Sequence, residues 1–367
     1  MQQSYSYKKQ LWKRLKKNKG ALFGLLIIIV SFFVAVFGYF IAPDNSPNAD
    51  LQTVEIQAKR PGYKQLFLKI PDFKNSFSGN WFTILLQGEK LNYRYIPISK
   101  YTITNDTLLV NKFIDDDTSV IQYYSINQLT NNQPQKFTSQ NIVTKKYWLG
   151  TDKFGRDILS RLIIGTRVSL AVGLIAVLIS LTIGIFLGAL AGYYRGKIDA
   201  VVMWLVNVTW SIPTLLLVFA ITMAMGKGFW QIFIAVGLTM WVSVARLVRG
   251  QVMAVKELEY VQAAKALGFK NSRIIFKHIL PNIFGPILVI AASNFATAII
   301  VEAGLSFLGI GVQPPQPSWG LMIKENYNFI ITHNPMLALI PGFAIMLLVL
   351  AFNLLGNGLR DAVDVKN

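Results

Sequence analysis

The sequence predicts an all-α polytopic membrane protein with six transmembrane helices, plus a small, mostly β insert between the first and second. Three observations predict it. Hydrophobic residues make up 53% of the chain, charged residues only 15%, and mean hydropathy is +0.43, above what a water-soluble chain of this length needs. Six mainly apolar runs each reach roughly 20 residues, the length that crosses about 30 Å of hydrocarbon. The basic residues behind the formal charge of +18 cluster beside those runs, which is a mark of membrane topology and not of a nucleic-acid-binding face.

The runs lie at 21–42, 168–192, 200–225, 229–248, 283–305 and 336–356. Lys8, Lys9, Lys13, Arg14, Lys16, Lys17 and Lys19 precede the first, so the positive-inside rule places residues 1–20 in the cytoplasm and a transmembrane helix at 21–43. Alternation then puts Arg195, Lys197, the basic residues from Arg246 to Lys277, Arg360 and Lys366 on the same side. Both termini are expected in the cytoplasm. The apolar run is longer than a signal-peptide core and no small-x-small cleavage site follows, so an uncleaved span is expected.

Residues 44–147 differ in character, with dispersed charges and few long apolar runs. Segments at 66–70, 81–86, 102–104 and 107–110 are rich in strand formers and bounded by turn residues, which predicts an extracytoplasmic, mostly β domain. It reads equally as a solvated spacer or as a platform for a delivery protein. The rest of the chain, 148–367, holds the other five apolar runs. At its start, Gly150 and Gly155 suit tight turns and Asp152 can cap. Ile158, Leu159 and Leu162 fall on one helical face, so an interfacial helix is expected over 148–162.

Chemistry is narrowed by what the chain lacks. It has no cysteine and only two histidines, His278 and His333, which argues against thiolate or imidazole metal sites. Nowhere does it carry the phosphate-cradling spacing Gly-x-x-x-x-Gly-Lys-Ser/Thr. No catalytic, cofactor or metal site is expected.

Between the fourth and fifth runs, residues 257–281 form a soluble-looking loop. Gly268 is suited to ending one short helix, Asn271 or Ser272 to capping a second, and Pro281 to closing it. Within the spans, Gly184, Gly188 and Gly192 line one face where another helix can approach closely. Asn207 and Ser211 share a face just before Pro213, a residue that favours a kink. Asn294, Thr297 and Glu302 lie along the fifth span. Such groups either line a pathway or join helices by hydrogen bonds.

Four ordered motifs make the pattern specific: LGTDKFGRDILSRLIIGTR at 149–167, EYVQAAKALG at 259–268 with HILPN at 278–282, EAGLSFLGIGVQPPQPSWG at 302–320, and FNLLGNGLRD at 352–361. Together they resemble the dipeptide/oligopeptide class of ABC importer permeases, and LWKRLKKNKGAL at 11–22 resembles its C-type subunit. The resemblance implies a permease fold that pairs with a second permease, two ATP-binding subunits and an extracytoplasmic substrate-binding protein. ATP and Mg would then be bound by the ATPases and not by this chain. It also implies that Gln262, Ala263, Ala264, Gly268, Leu280 and Pro281 form the element that docks on an ATPase. Gln262 stands where the family has an acidic residue, and His278 where it has an apolar one. The 44–147 insert is longer than usual for the class. Two other classes compete: an ion-gradient-driven carrier or channel, against which stands a single carboxylate, Glu302, in the spans, and a membrane-anchored sensing or assembly protein, for which six spans are more than an anchor needs.

Overall fold

The computed structural model describes residues 12–71, 80–104, 107–129, 141–226, 228–331 and 334–363. Lys8, Lys9, His333 and Lys366 lie outside them. Among the described residues five helices are long and apolar enough to cross a membrane: α1 (Lys19–Ile41), α3 (Ile158–Tyr194), α6 (Phe229–Lys256), the helical path Asn271–Leu308 and α10 (Met336–Val363). The run predicted at 200–225 is a bent pair, α4 (Gly196–Trp210) and α5 (Thr214–Met225), with 92° between them; counted as one span it makes six. Pro213 sits at the break, where its ring and missing N–H stop α4 from continuing. Contacts divide the chain into two compact units: Val168–Gln313 with the residues through Phe32 and from Phe343, and Phe33–Arg167 with Pro314–Gly342.

In the first unit the glycine face of α3 meets α6. A Cβ on Gly184 would stand 2.5 Å from Val244 Cβ, one on Gly188 2.5 Å from the Ala245 carbonyl oxygen, and one on Gly192 2.7 Å from that of Arg249. The helices therefore touch backbone to backbone, the small-residue packing that replaces the hydrophobic drive inside lipid. Val244, Val248 and Val252 of α6 continue this seam into a cluster with Ile274, Ile279, Ile283 and Ile287.

The second unit holds a five-stranded antiparallel sheet built from β1 (Tyr63–Pro71), β2 (Tyr93–Thr104), β3 (Thr107–Phe113), β4 (Ser119–Ser125) and β5 (Ile142–Tyr147), in the order β4-β3-β2-β1-β5. Leu66 pairs with Ile98 and Leu68 with Ile96. Leu68, Ile96, Ile98, Leu108 and Val110 are buried on one face, and Phe67, Phe113, Tyr147 and Ile56 in a separate cluster. The segment expected as a strand at 81–86 is instead a helix, α2 (Trp81–Gln87). Its apolar residues are consecutive and not alternating, so no single sheet face can bury them. Trp81 stacks on Phe40 with ring centroids 6.1 Å apart.

The interfacial helix expected over 148–162 begins only at Ile158. Before it the chain turns tightly, with Gly150 at φ +84° and Gly155 at φ +73°, and a Cβ on Gly155 would collide with the Thr53 carbonyl. Asp152 Oδ1 accepts from the backbone N–H groups of Phe154 and Arg156, so it caps this turn and not the helix. Composition gave no hint of what fills the turn: Arg156 and Arg161 are 2% and 1% exposed. Arg156 Nε donates to Asp152 at 2.7 Å, Nη1 to Asp50 at 3.1 Å and Nη2 to Glu325 of α9 (Trp319–Asn326) at 2.6 Å. Arg161 Nη2 reaches the same Glu325 oxygen at 3.3 Å.

Candidate functional site: the loop after α6 and a helix-lined cavity

The loop after α6 is a bent helical hairpin. Helix α7 (Glu259–Ala266) ends where Gly268 adopts φ +73°. The Gly268 N–H bonds the Lys265 carbonyl and the Phe269 N–H that of Ala264, a Schellman stop in which glycine takes the left-handed position. The expected second short helix, closed by Pro281, is not what forms. From Asn271 the chain runs helically through a π turn (Ile274–Ile279) and a 3-10 turn (Leu280–Ile283) into α8 (Phe284–Leu308). Pro281 is accommodated because it falls in the first residues of the 3-10 turn, where its lack of an N–H forfeits little. Nor does Asn271 or Ser272 cap: the N-cap is Lys270, without a side-chain bond, and Asn271 Oδ1 accepts from the Tyr193 hydroxyl at 2.8 Å.

Within this hairpin the predicted residues divide. Ala264 is buried in the cluster with Val261 and Ile274, whereas Gln262, Ala263 and Gly268 are exposed. Gln262 Nε2 donates to the Lys256 carbonyl at 3.0 Å, closing the last turn of α6. Lys256 Nζ donates to the Tyr193 carbonyl at 2.7 Å. Leu280 packs, half-buried, on the isoleucine cluster, and Pro281 is exposed. His278 stacks on Phe269, centroids 6.0 Å apart, which explains a flat ring at a position where an apolar residue serves. Tyr260 and Leu267 are exposed on the hairpin, Leu267 at 74%.

The second feature is a cavity of about 580 Å³ in the same unit, lined by residues of α4, α5, α6 and α8. Of the candidate pathway residues, it brings together Asn294 and Thr297. Asn207 does not line it but accepts from Arg246 Nη2 at 3.3 Å. Ser211 bonds back to the Asn207 carbonyl at 2.8 Å. Glu302 does not line the cavity either; it is fully buried and accepts from Ser306, whose oxygen in turn accepts from the Val312 N–H and pins the loop after α8.

Thr239, Ser243, Arg246 and Gly250 of α6 also line the cavity, and sequence reasoning passed over them. Their spacing of four, three and four residues is one stripe of a helix, a legible signal. Reading Arg246 only as a topology marker hid it. Its guanidinium lies 3.5 Å from the ring centroid of Trp210. Among the described residues no group of three or more His, Asp or Glu is placed to hold a metal ion.

A family model described as the binding-protein-dependent transport system inner membrane component matches residues 184–366, and one for the N-terminal TM domain of oligopeptide transport permease C matches residues 6–55. A dipeptide transport system permease protein, DppC, of Bacillus subtilis is 34% identical over 99% of this chain and 87% of its own length. The chain belongs to the dipeptide/oligopeptide class of ABC importer permeases. A DppC of Alkalihalophilus pseudofirmus is 46% identical over 60% of this chain and 72% of its own length. A glutathione transport system permease protein, GsiD, of Pectobacterium atrosepticum is 44% identical over 60% of this chain and 73% of its own length. The permease is thus a multi-pass inner-membrane transport subunit and not an enzyme, with ATP hydrolysis on separate subunits.

Proposed function

We propose that this permease is the C-type half of an importer for dipeptides or oligopeptides, pairing with a second permease, two ATP-binding subunits that bind ATP and Mg, and an extracytoplasmic substrate-binding protein. One observation carries the reading: α6 is shared by both functional features. Its residues from Thr239 to Gly250 wall the cavity, and its last carbonyls are closed by Gln262 of the hairpin. Between Arg246 and Lys256 lie about 15 Å of helix at 1.5 Å per residue. A push on the hairpin reaches the cavity through one helix, and the glycine seam with α3 leaves that helix no slack.

The hairpin's docking face is Ala263, Gly268 and the neighbouring exposed Tyr260 and Leu267, with Gln262, Ala264, Leu280 and Pro281 holding its shape. Gln262 acts inside the chain, which supports coupling without a charged pair at that position. Asn294 and Thr297 belong to the translocation route. Asn207 supports the route through Arg246, while the bonds of Ser211 and Glu302 favour structural roles.

The domain plan is a cytoplasmic segment 1–20, a transmembrane helix 21–43, an extracytoplasmic insert 44–147 and a transport core 148–367, with six spans and both termini inside. Support for peptide as substrate, and for the insert as a normal part of such a subunit, comes from the B. subtilis dipeptide permease, which aligns across nearly the whole chain.

Co-purification of the tagged permease in mild detergent, with mass spectrometry of its companions, tests the assembly. A second permease and ATPase subunits are expected. Recovery of the chain alone, under conditions that keep known importers intact, would favour an ion-driven carrier. Uptake of labelled dipeptides by the reconstituted assembly tests the substrate class.

A further inference from the structure

The cavity has an unbalanced set of polar groups. Arg246 Nε is buried and without a hydrogen-bond partner, and so is Asn294 Nδ2, on a residue 5% exposed. Both are donors. Asn294 Oδ1, the acceptor end of that amide, faces the Ser243 hydroxyl at 3.4 Å. No Asp or Glu lines the cavity, and no carboxylate among the described residues stands within 4.0 Å of the Arg246 guanidinium. The neighbouring Arg249 shows the contrast, since Asp199 takes it in two bonds, one of 2.6 Å from Nη2. Trp210 and the Asn207 oxygen hold the Arg246 guanidinium without neutralising it.

A half-buried cation whose Nε is cut off from solvent and an unmatched amide donor on the wall of the same cavity disfavour a cationic occupant and favour one rich in acceptors. A carboxylate answers this chemistry: it offers about four lone-pair positions, donates nothing, and matches the guanidinium fork. About 580 Å³ falls in the range of small-molecule sites, roughly 300–1,000 Å³. We infer that Arg246 and Asn294 form a carboxylate-recognition site, which engages the carboxylate of a solute as it passes through the permease. The inference rests on the reading of this cavity as part of the translocation route and deepens it: Arg246 is a specificity-determining residue, and the free C-terminal carboxylate of a peptide is the group it reads.

The absence of cysteine from the chain allows a direct test in the complete reconstituted complex. Ser243→Cys places one thiol of this chain on the cavity wall. Its rate of alkylation by a maleimide is measured with alanyl-alanine, and then with alanyl-alaninamide at the same concentration. The acid is expected to slow alkylation at concentrations about tenfold lower than the amide, the discrimination of one charge-assisted interaction. Adding Arg246→Gln should abolish the difference, and Arg246→Lys should restore part of it. Equal protection by acid and amide, or discrimination that survives Arg246→Gln, overturns the inference. Uptake of the same dipeptide by the complex without these substitutions is a separate readout: if it is absent while the acid still protects Cys at 243, the peptide reading fails and the carboxylate site stands.

Discussion

Two sets of arginines in this permease are treated in opposite ways. Arg156 and Arg161 are almost wholly buried, and Asp50, Asp152 and Glu325 surround them. Arg246 lies on a cavity wall with an aromatic ring and an amide for neighbours. Burying a charge is tolerable only when its partners repay the lost water, so the first pair is architecture: it ties the 148–167 turn to α9 and to the start of the insert. A charge left without its counter-ion in a membrane protein marks a place where something else supplies it. Charge pairing thus separates the structural arginines from the functional one.

The largest effect is expected where the pairing is complete. Arg156→Ala strands Asp50, Asp152 and Glu325 around Arg161 alone, and breaking a buried pair from one side costs about 3–5 kcal/mol. The variant should be recovered from membranes in much lower yield and unfold at lower temperature. Normal yield and stability would mean that the cluster is solvated in the assembled protein. Replacing Arg156 by Lys should not rescue it, because one ammonium cannot bond three carboxylates in the directions of the guanidinium fork.

Next come substitutions that touch no structural partner. Ala263 is exposed and Gly268 has open space around its Cα, so Ala263→Arg and Gly268→Trp alter the proposed docking face of the hairpin. Both should insert into the membrane at wild-type levels, and uptake should fall to background. Gly268→Trp carries an added penalty of about 1 kcal/mol for a side chain at positive φ, so Ala263→Arg is the cleaner variant. Wild-type uptake by Ala263→Arg would exclude this face from coupling.

Much of this was legible in the sequence, and the gaps have physical causes. Gly184, Gly188 and Gly192 announced a helix seam because a period of four puts small residues on one face of a span, where another backbone can approach. Asn294 and Thr297 were visible as polar groups in an apolar run, and the break at Pro213 as a missing N–H. Arg246 was misjudged because a basic residue near the end of a span satisfies the positive-inside rule whether or not it also faces a cavity. Arg156 and Arg161 gave no signal, since their burial depends on Asp50 and Glu325, which lie 106 and 169 residues from Arg156. The helix at Trp81–Gln87 was missed because strand propensity describes a pleated, half-buried surface, and this segment has none to join. Pro281 failed as a helix end because local irregular turns can absorb a proline that a regular α-helix cannot.

The smallest effect concerns a third charge, intermediate between the two arginine sites. Lys145 of β5 lines a cavity with Asp44 and Asp157, and its ammonium sits over the Tyr95 ring, 3.6 Å from the centroid. Burial lowers its pKa from the usual 10.5 to about 8, although Asp44 and Asp157 act in the opposite sense. Between those two values the unfolded chain holds a proton that the folded insert has released, so unfolding takes up protons and stability rises with pH across that window. Asp157, raised by its own burial, acts lower on the scale and with opposite slope: its folded form keeps a proton longer, so stability falls as pH rises through the acid range. In the full permease, amide exchange of β1 and β5, corrected for intrinsic rates, should therefore show stronger protection near pH 9 than near pH 8, below the range where Tyr63, Tyr95 and Tyr147, whose pKa values burial raises, add a slope of opposite sign. Lys145→Met should flatten that rise while leaving the acid-range slope in place. A rise that persists in Lys145→Met would assign the titration to another group and place Lys145 with the solvated surface charges.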